Sequence, residues 1–285
     1  YFDYLDSHKP AVNVVAYVAQ GAIRIDEMGF SDAAPTAEQM DHMKAELRKA
    51  MEAGCVGMST GLVYLPGAYT SKEELAELSK EMVPYNGFYV THIRSEGDDE
   101  MEAIDEAIYI AKTAGVPLHV SHLKIMGKHN FGKIDQVFAK LDAAEKDGLD
   151  VRFDCYPYTA GMSSLGVLLP TWAFEGGVAP MLERIKVPEN RARIIREMEE
   201  GLPGWNNFYK MSGGWDAITI ASVMTEQNKY IEGMNIADIA KERGEDPYDT
   251  FFRLLEEEKG KIQFITFTQG EEDTDKVVTH PKTCI

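Results

Sequence analysis

Cysteine is scarce in this sequence. The 285 residues include three, Cys55, Cys155 and Cys284, with no CxxC pair among them. That argues against a disulfide framework and makes a reducing, cytoplasmic setting the expectation. Basic residues are also in short supply: 29 Lys and Arg stand against 47 Asp and Glu, a net charge of -18. A surface of that sign repels nucleic-acid phosphates and anionic lipid, so a small molecule is the expected partner. No apolar run reaches the roughly 18 residues that a membrane span requires. The opening "YFDYLDSHKP" lacks the layout of a signal peptide, and the absence of a starting Met leads us to expect a natural N-terminus further upstream. With 44% hydrophobic and 27% charged residues, the chain has enough apolar content for a large folded core, and nothing in it suggests disorder.

What the sequence does contain is a rhythm. Five β-prone runs, "NVVAYV" from Asn13, "CVGMST" from Cys55, "FYVTHI" from Phe88, "LHVSHL" from Leu118 and "VRFDCY" from Val151, follow one another at intervals of roughly 30 to 40 residues. Helical segments lie between them. In "PTAEQMDHMKAELRKAMEAG", Thr36 is placed to cap, Met40, Met43, Leu47 and Met51 recur at helical spacing, and Gly54 marks the end. "SKEELAELSKEM" opens with a capping box of Ser71 and Glu74. In "EGDDEMEAIDEAIYIAKTAG" acids crowd the first turn, Ile104, Ile108 and Ala111 line one face, and Gly115 sits at the C-cap.

A repeated strand–helix unit with short apolar strands is the unit of parallel sheets, compatible with an open doubly wound sheet or a (β/α)8 barrel. The rhythm breaks at Pro157, so a barrel would be incomplete. The expected organisation is a partial barrel over 1–157, an elaborated loop or lid with helices over 158–260, and a return towards a last strand over 261–285.

Two runs end alike: "YVTHIR" at Tyr89 to Arg94 and "HVSHLK" at His119 to Lys124. Side chains alternate along a strand, so His92 and His122 occupy equivalent depths near the C-terminal ends of neighbouring strands, where sites of parallel α/β proteins lie. Two imidazoles there supply half or more of a zinc coordination sphere. The competing interpretation makes each a hydrogen-bonded core residue, and the in-register repeat is what raises the metal assignment to its equal. His119 points to the opposite face; it and His8, His42, His129 and His280 are read as structural or surface residues.

"GMSTG" at Gly57 to Gly61 matches G-x-S-x-G around Ser59, but a nucleophile elbow needs a helix directly after the serine. Here "LVYLPGAYT" follows, so the glycines are expected to shape a loop that presents Tyr64. Lys124, two residues beyond His122, is expected on the same face and one step nearer solvent, either as a surface charge or as a partner for a substrate carboxylate. In "DCYPYTAGMSS", Asp154 and Tyr156 share a face; Asp154 is open between metal ligand and orienting acid.

Taken together, "GCVGMSTGLVYLPGAYTSKEEL", "YVTHIRSEGDDEMEAIDEAI", "VPLHVSHLKIMG", "DCYPYTAG" and "LPTWAFEGG" resemble the D-aminoacylase (N-acyl-D-amino-acid deacylase) branch of the amidohydrolase superfamily. The resemblance implies a metal-dependent (β/α)8 hydrolase that splits an N-acyl-D-amino acid into a carboxylate and a D-amino acid. It assigns zinc to His92 and His122, a position near the scissile carbonyl to Tyr64, and substrate-carboxylate contacts to Lys124 and Tyr156. A serine expected after Tyr156 meets Met162 instead, leaving Ser163 as its substitute. Gln20 in "AQGAIR" stands where relatives often carry histidine.

The family's first-strand H-x-H pair and its bridging cysteine are expected upstream of Tyr1, and its catalytic aspartate beyond Ile285. Cys55 lies on the wrong strand to be that cysteine. The chain is therefore expected to be an internal segment, about strands three to seven plus the insertion. Two alternatives accompany this reading: a cyclic-amide hydrolase of the dihydroorotase type, and a catalytically incomplete piece of such an enzyme.

Overall fold

The computed structural model describes all 285 residues, Tyr1 to Ile285. Its strands are β1 (Val18–Ala19), β2 (Gly57–Gly61), β3 (Phe88–His92), β4 (Leu118–Val120), β5 (Val151–Asp154), β6 (Gly161–Ser164), β7 (Thr219–Ser222), β8 (Gln263–Thr266) and β9 (Thr283–Cys284). They form two sheets. The first runs β1-β2-β3-β4-β5-β9 with every pair parallel, and it is not closed into a barrel. The second is antiparallel, in the order β6-β8-β7.

Helices cross over between the parallel strands, and their sequences account for them. Thr36 and Gln39 form a reciprocal capping box at the start of the helix Ala37–Glu52, whose Met43, Leu47 and Met51 are buried against the sheet. The helix Glu100–Ala114 buries Ala103, Ile104, Ala107, Ile110 and Ala111 and stops at Gly115, which adopts φ 75°. Within the sheet, Thr60 donates to Thr91 at 2.8 Å and shares a 2.9 Å hydrogen bond with the hydroxyl of Tyr89, so these buried polar groups are paired.

Three expectations are corrected at this level. The run from Asn13 enters the sheet only at Val18 and Ala19, because its ladder to β2 spans just Met58 and Ser59, and Val14 and Val15 stay exposed. Ser59 lies inside β2, paired with Val90, so the glycines around it belong to a strand and not to a loop. Gly57 is needed there because a Cβ would lie 2.2 Å from the carbonyl oxygen of Phe88. The third correction concerns Ser71 and Glu74. Ser71 does accept from the backbone N–H of Glu74, at 3.1 Å, but the Glu74 carboxylate turns inward to Arg24 Nη1, at 2.5 Å. Arg24 is fully buried and also donates to the carbonyls of Ser31 and Ala33. Burial raises the Glu74 carboxyl above its ordinary value despite the pull of Arg24.

Beyond β5 the chain builds a second apolar cluster, in which Leu165, Met181, Ile194, Trp215, Phe251 and Phe264 take part. The strand β8 still belongs to the antiparallel sheet, and the chain rejoins the parallel one only at β9.

Candidate metal centre

His92 is the last residue of β3. On the next strand the ladder ends at Val120, and the N–H of Ser121 still reaches the carbonyl of Thr91 at 2.9 Å. The chain then turns at His122, whose φ of 41° lies in the left-handed region that residues with a Cβ rarely enter. Such a conformation costs about 1–2 kcal/mol. It is held by Asp154 at the end of β5, whose Oδ1 accepts the His122 N–H at 2.6 Å. The other oxygen, Oδ2, lies 2.7 Å from His119 Nε2. Burial disfavours the Asp154 charge, but His119 and the His122 N–H outweigh it and hold the carboxyl below its usual range. Asp154 is an orienting acid engaged by protein groups through both oxygens.

The turn aims the His122 ring at His92. His92 Nδ1 and His122 Nε2 lie 2.9 Å apart, with ring centroids at 4.6 Å and planes at 76°. Two nitrogens bound to one tetrahedral zinc stand ~3.3 Å apart for Zn–N bonds near 2.0–2.1 Å, so an adjustment of a few tenths of an ångström admits the ion. Burial pushes His92 down to about 4, partly offset by the nearby Glu96 carboxylate, so the ring is neutral and ligand-competent at neutral pH.

Behind the rings sits Glu96, which the sequence reading did not single out. Its Oε1 lies 2.5 Å from Lys124 Nζ and 3.0 Å from His122 Nδ1, and its Oε2 lies 3.9 Å from His92 Nε2. One ligand atom from each of His92, Glu96 and His122 falls within 4.8 Å of the others. Burial opposes the Glu96 charge, but Lys124 and the two imidazoles outweigh it and hold the carboxyl well below the ordinary range. The i, i+4 spacing of His92 and Glu96 was visible in "THIRSEG", but β3 ends at His92, and the alternation rule is silent past a strand end.

Lys124 is not a step nearer solvent than His122, as alternation suggested. The left-handed turn breaks the strand's periodicity and sends the lysine inward, where its side chain is 6% exposed and paired with Glu96. Its ammonium also lies 2.8 Å from His122 Nδ1 and 5.4 Å from the ring centroid of Tyr156. Tyr156 accepts a 3.1 Å hydrogen bond from Gln269, and burial raises its phenol above the ordinary value. Tyr64 packs its ring 5.3 Å from that of His92, and its hydroxyl is 3.5 Å from Ser163 Oγ. All six residues named from the sequence, Tyr64, His92, His122, Lys124, Tyr156 and Ser163, line one cleft of about 420 Å³. Arg94, the basic residue of the first motif, does different work: it grips Glu106 and donates to the carbonyls of Ala68 and Thr70, bracing the loop that follows Tyr64.

Glu100, one turn past Glu96, is buried, and neither carboxylate oxygen has a protein partner. Burial, reinforced by Glu96, raises its pKa well above the usual value. A carboxyl raised in the fold is more easily ionised in the unfolded chain, so stability falls as pH rises from the unfolded value through the folded one. Glu100→Gln is therefore expected to stabilise the protein at pH 8 by about 1–3 kcal/mol and to have little effect near pH 4. Urea unfolding at the two pH values measures this; equal shifts at both would contradict it.

Parallel strands carrying paired imidazoles at their C-terminal ends, above a cleft, define the class: an α/β protein with a candidate metal centre at the C-terminal edge of an open parallel sheet. No family model matches the chain. Curated proteins do. The N-acyl-D-glutamate deacylase of Alcaligenes xylosoxydans xylosoxydans is 36% identical over 165 residues, 58% of this chain and 34% of that protein. The D-aminoacylase of the same organism is 34% identical with the same coverage. Among solved structures, the N-acyl-D-glutamate deacylase of Bordetella bronchiseptica, complexed with zinc and a phosphonate that mimics the tetrahedral intermediate, superposes with a TM-score of 0.76 at 28% identity over 99% of this chain and 49% of that one. A D-aminoacylase described as defining a novel subset of amidohydrolases superposes at 0.73 and 27%, over 99% and 50%. The chain is a homologue of N-acyl-D-glutamate deacylase and D-aminoacylase, and it spans about a third of the curated relatives' length and half of the solved structures'.

Proposed function

We propose that the protein hydrolyses the amide bond of N-acyl-D-amino acids with the help of zinc. The observation that carries this reading is the pair His92 Nδ1 and His122 Nε2, facing each other at 2.9 Å over a cleft in a homologue of such deacylases. His92 and His122 would hold the ion. Zinc, when bound, supplies Lewis acidity and a water-derived nucleophile at neutral pH.

The chain's own residues divide the remaining work. The Tyr64 hydroxyl, on the His92 side of the cleft, is assigned to the scissile carbonyl, where a donor stabilises developing negative charge. Lys124 and Tyr156, adjacent across the cleft, are assigned to the substrate carboxylate, with Ser163 beside Tyr64 as a further hydroxyl contact. A second cavity of about 220 Å³ shares Tyr64 with the cleft and is lined by Leu62, Val63, Leu65, Val167 and Phe174, suited to the apolar part of an acylated amino acid. The excursion over 158–260 is assigned the task of walling the cleft, to which it contributes Ala160 to Ser163 and Phe208. The three unpaired cysteines fit a reducing, cytoplasmic setting. No helix is long and apolar enough to cross a membrane.

The test is a substrate panel offered to the zinc-loaded full-length protein. N-acyl-D-amino acids are expected to be cleaved and their L-enantiomers to be poor substrates. Turnover of cyclic amides such as dihydroorotate in preference to every N-acyl-D-amino acid would replace this reading by the dihydroorotase type. Inertness towards the whole panel would remove the hydrolase assignment.

A further inference from the structure

We propose that Glu96 is a positioning residue that fixes which nitrogen of the His122 imidazole carries its proton, leaving His122 Nε2 free to bind a cation beside His92. This rests on the reading above that the two rings hold a divalent ion.

The near nitrogens of the two rings meet at 2.9 Å, while the far nitrogens, His122 Nδ1 and His92 Nε2, both look towards Glu96, at 3.0 Å from Oε1 and 3.9 Å from Oε2. A neutral imidazole has one N–H and one lone pair, so each ring can bind a cation through its near nitrogen only if the proton sits on the far one. His92 Nε2 is buried without a hydrogen-bond partner, the nearer Glu96 oxygen standing at 3.9 Å, beyond hydrogen-bond reach.

Lys124 makes the choice a contested one. Its ammonium is a pure donor, 2.8 Å from His122 Nδ1. With no carboxylate at hand, Nδ1 would accept from Lys124, the ring proton would move to Nε2, and the atom that should bind the ion would become a donor aimed at His92. Glu96 Oε1 accepts from Lys124 Nζ at 2.5 Å and stands 3.0 Å from His122 Nδ1, within reach of a proton carried there. A carboxylate has lone pairs for both Lys124 and a protonated His122 Nδ1; a glutamine keeps one acceptor oxygen and adds an amide that donates. Outer partners of ligating histidines set tautomer and ring orientation in this manner, and losing one costs 10–100-fold in metal affinity.

The experiment measures zinc binding to the full-length protein by competition with a chromophoric chelator, with the ring nitrogens followed in parallel by 15N NMR of the zinc-free protein. Glu96→Gln is expected to weaken zinc 10–100-fold and to move the His122 proton from Nδ1 to Nε2. The double variant Glu96→Gln with Lys124→Met removes the buried unpaired ammonium, which guards against misfolding of the single variant. It should bind zinc more weakly than wild type and more tightly than Glu96→Gln. Glu100→Gln, the neighbouring buried carboxyl with no contact to either ring, should bind zinc as wild type does. Zinc affinity within twofold of wild type in either Glu96 variant, or an equal loss in Glu100→Gln, would overturn the proposal while leaving the metal assignment standing. A wild-type protein that binds no zinc would remove both.

Discussion

Replacing His122 or His92 by alanine is expected to strip tightly bound zinc from the full-length protein. The loss should exceed the 10–100-fold that removal of an outer partner costs, because each variant deletes one of the two facing nitrogens. The fold should survive, since neither ring anchors an apolar cluster. For His92 the zinc-free variant should unfold no earlier than the zinc-free wild type, because the substitution also removes a buried nitrogen without a partner. Metal content after dialysis against a weak chelator, read beside a thermal melt of the metal-free forms, is the check. Full zinc retention by either variant would show that the ion, if present, is held elsewhere, and the hydrolase reading would fall with it.

The second large effect concerns the fold. Glu74→Ala is expected to cost about 3–5 kcal/mol, because it leaves the fully buried Arg24 guanidinium facing only the carbonyls of Ser31 and Ala33. The pair itself is a different matter. Burial outweighs Arg24 in setting the Glu74 carboxyl, which indicates that desolvation consumes most of the attraction between them. Replacing both with apolar residues of similar volume, Arg24→Met with Glu74→Leu, should therefore recover most of the stability that the single change loses. Urea unfolding of the single and double variants separates the two effects. A single variant within about 1 kcal/mol of wild type would mean that water or another acceptor reaches Arg24.

How far the sequence anticipated these features depends on what kind of information each one needs. Strand and helix identity came through wherever a period repeats: β3 to β5 fall inside three of the five β-prone runs, β2 overruns a fourth by one residue, and Thr36 caps its helix as expected. The histidine pair was legible as a repeated motif, but the register expected of it was not met: the ladder sets Val90 opposite His119, one residue off, and it is the turn at His122 that brings the rings together. Past the strand ends that logic stops. The left-handed turn at His122 is imposed by Asp154, 32 residues away, and no local pattern announces it. The inward course of Lys124 and the convergence on Glu96 follow from that turn, so they were hidden for the same reason. Glu74 misled differently: its capping-box spacing was real, but a buried arginine 50 residues earlier claims the carboxylate.

One consequence of that turn reaches beyond the residues that make it. The aim of the His122 imidazole is dictated by main-chain conformation, with Asp154 acting as a latch from the adjacent strand. A mutation that loosened this latch would let the backbone relax and swing the imidazole out of line without touching the hydrophobic interior. Divergence of the centre can thus proceed through its fastenings, while the sheet that carries them is left as it is.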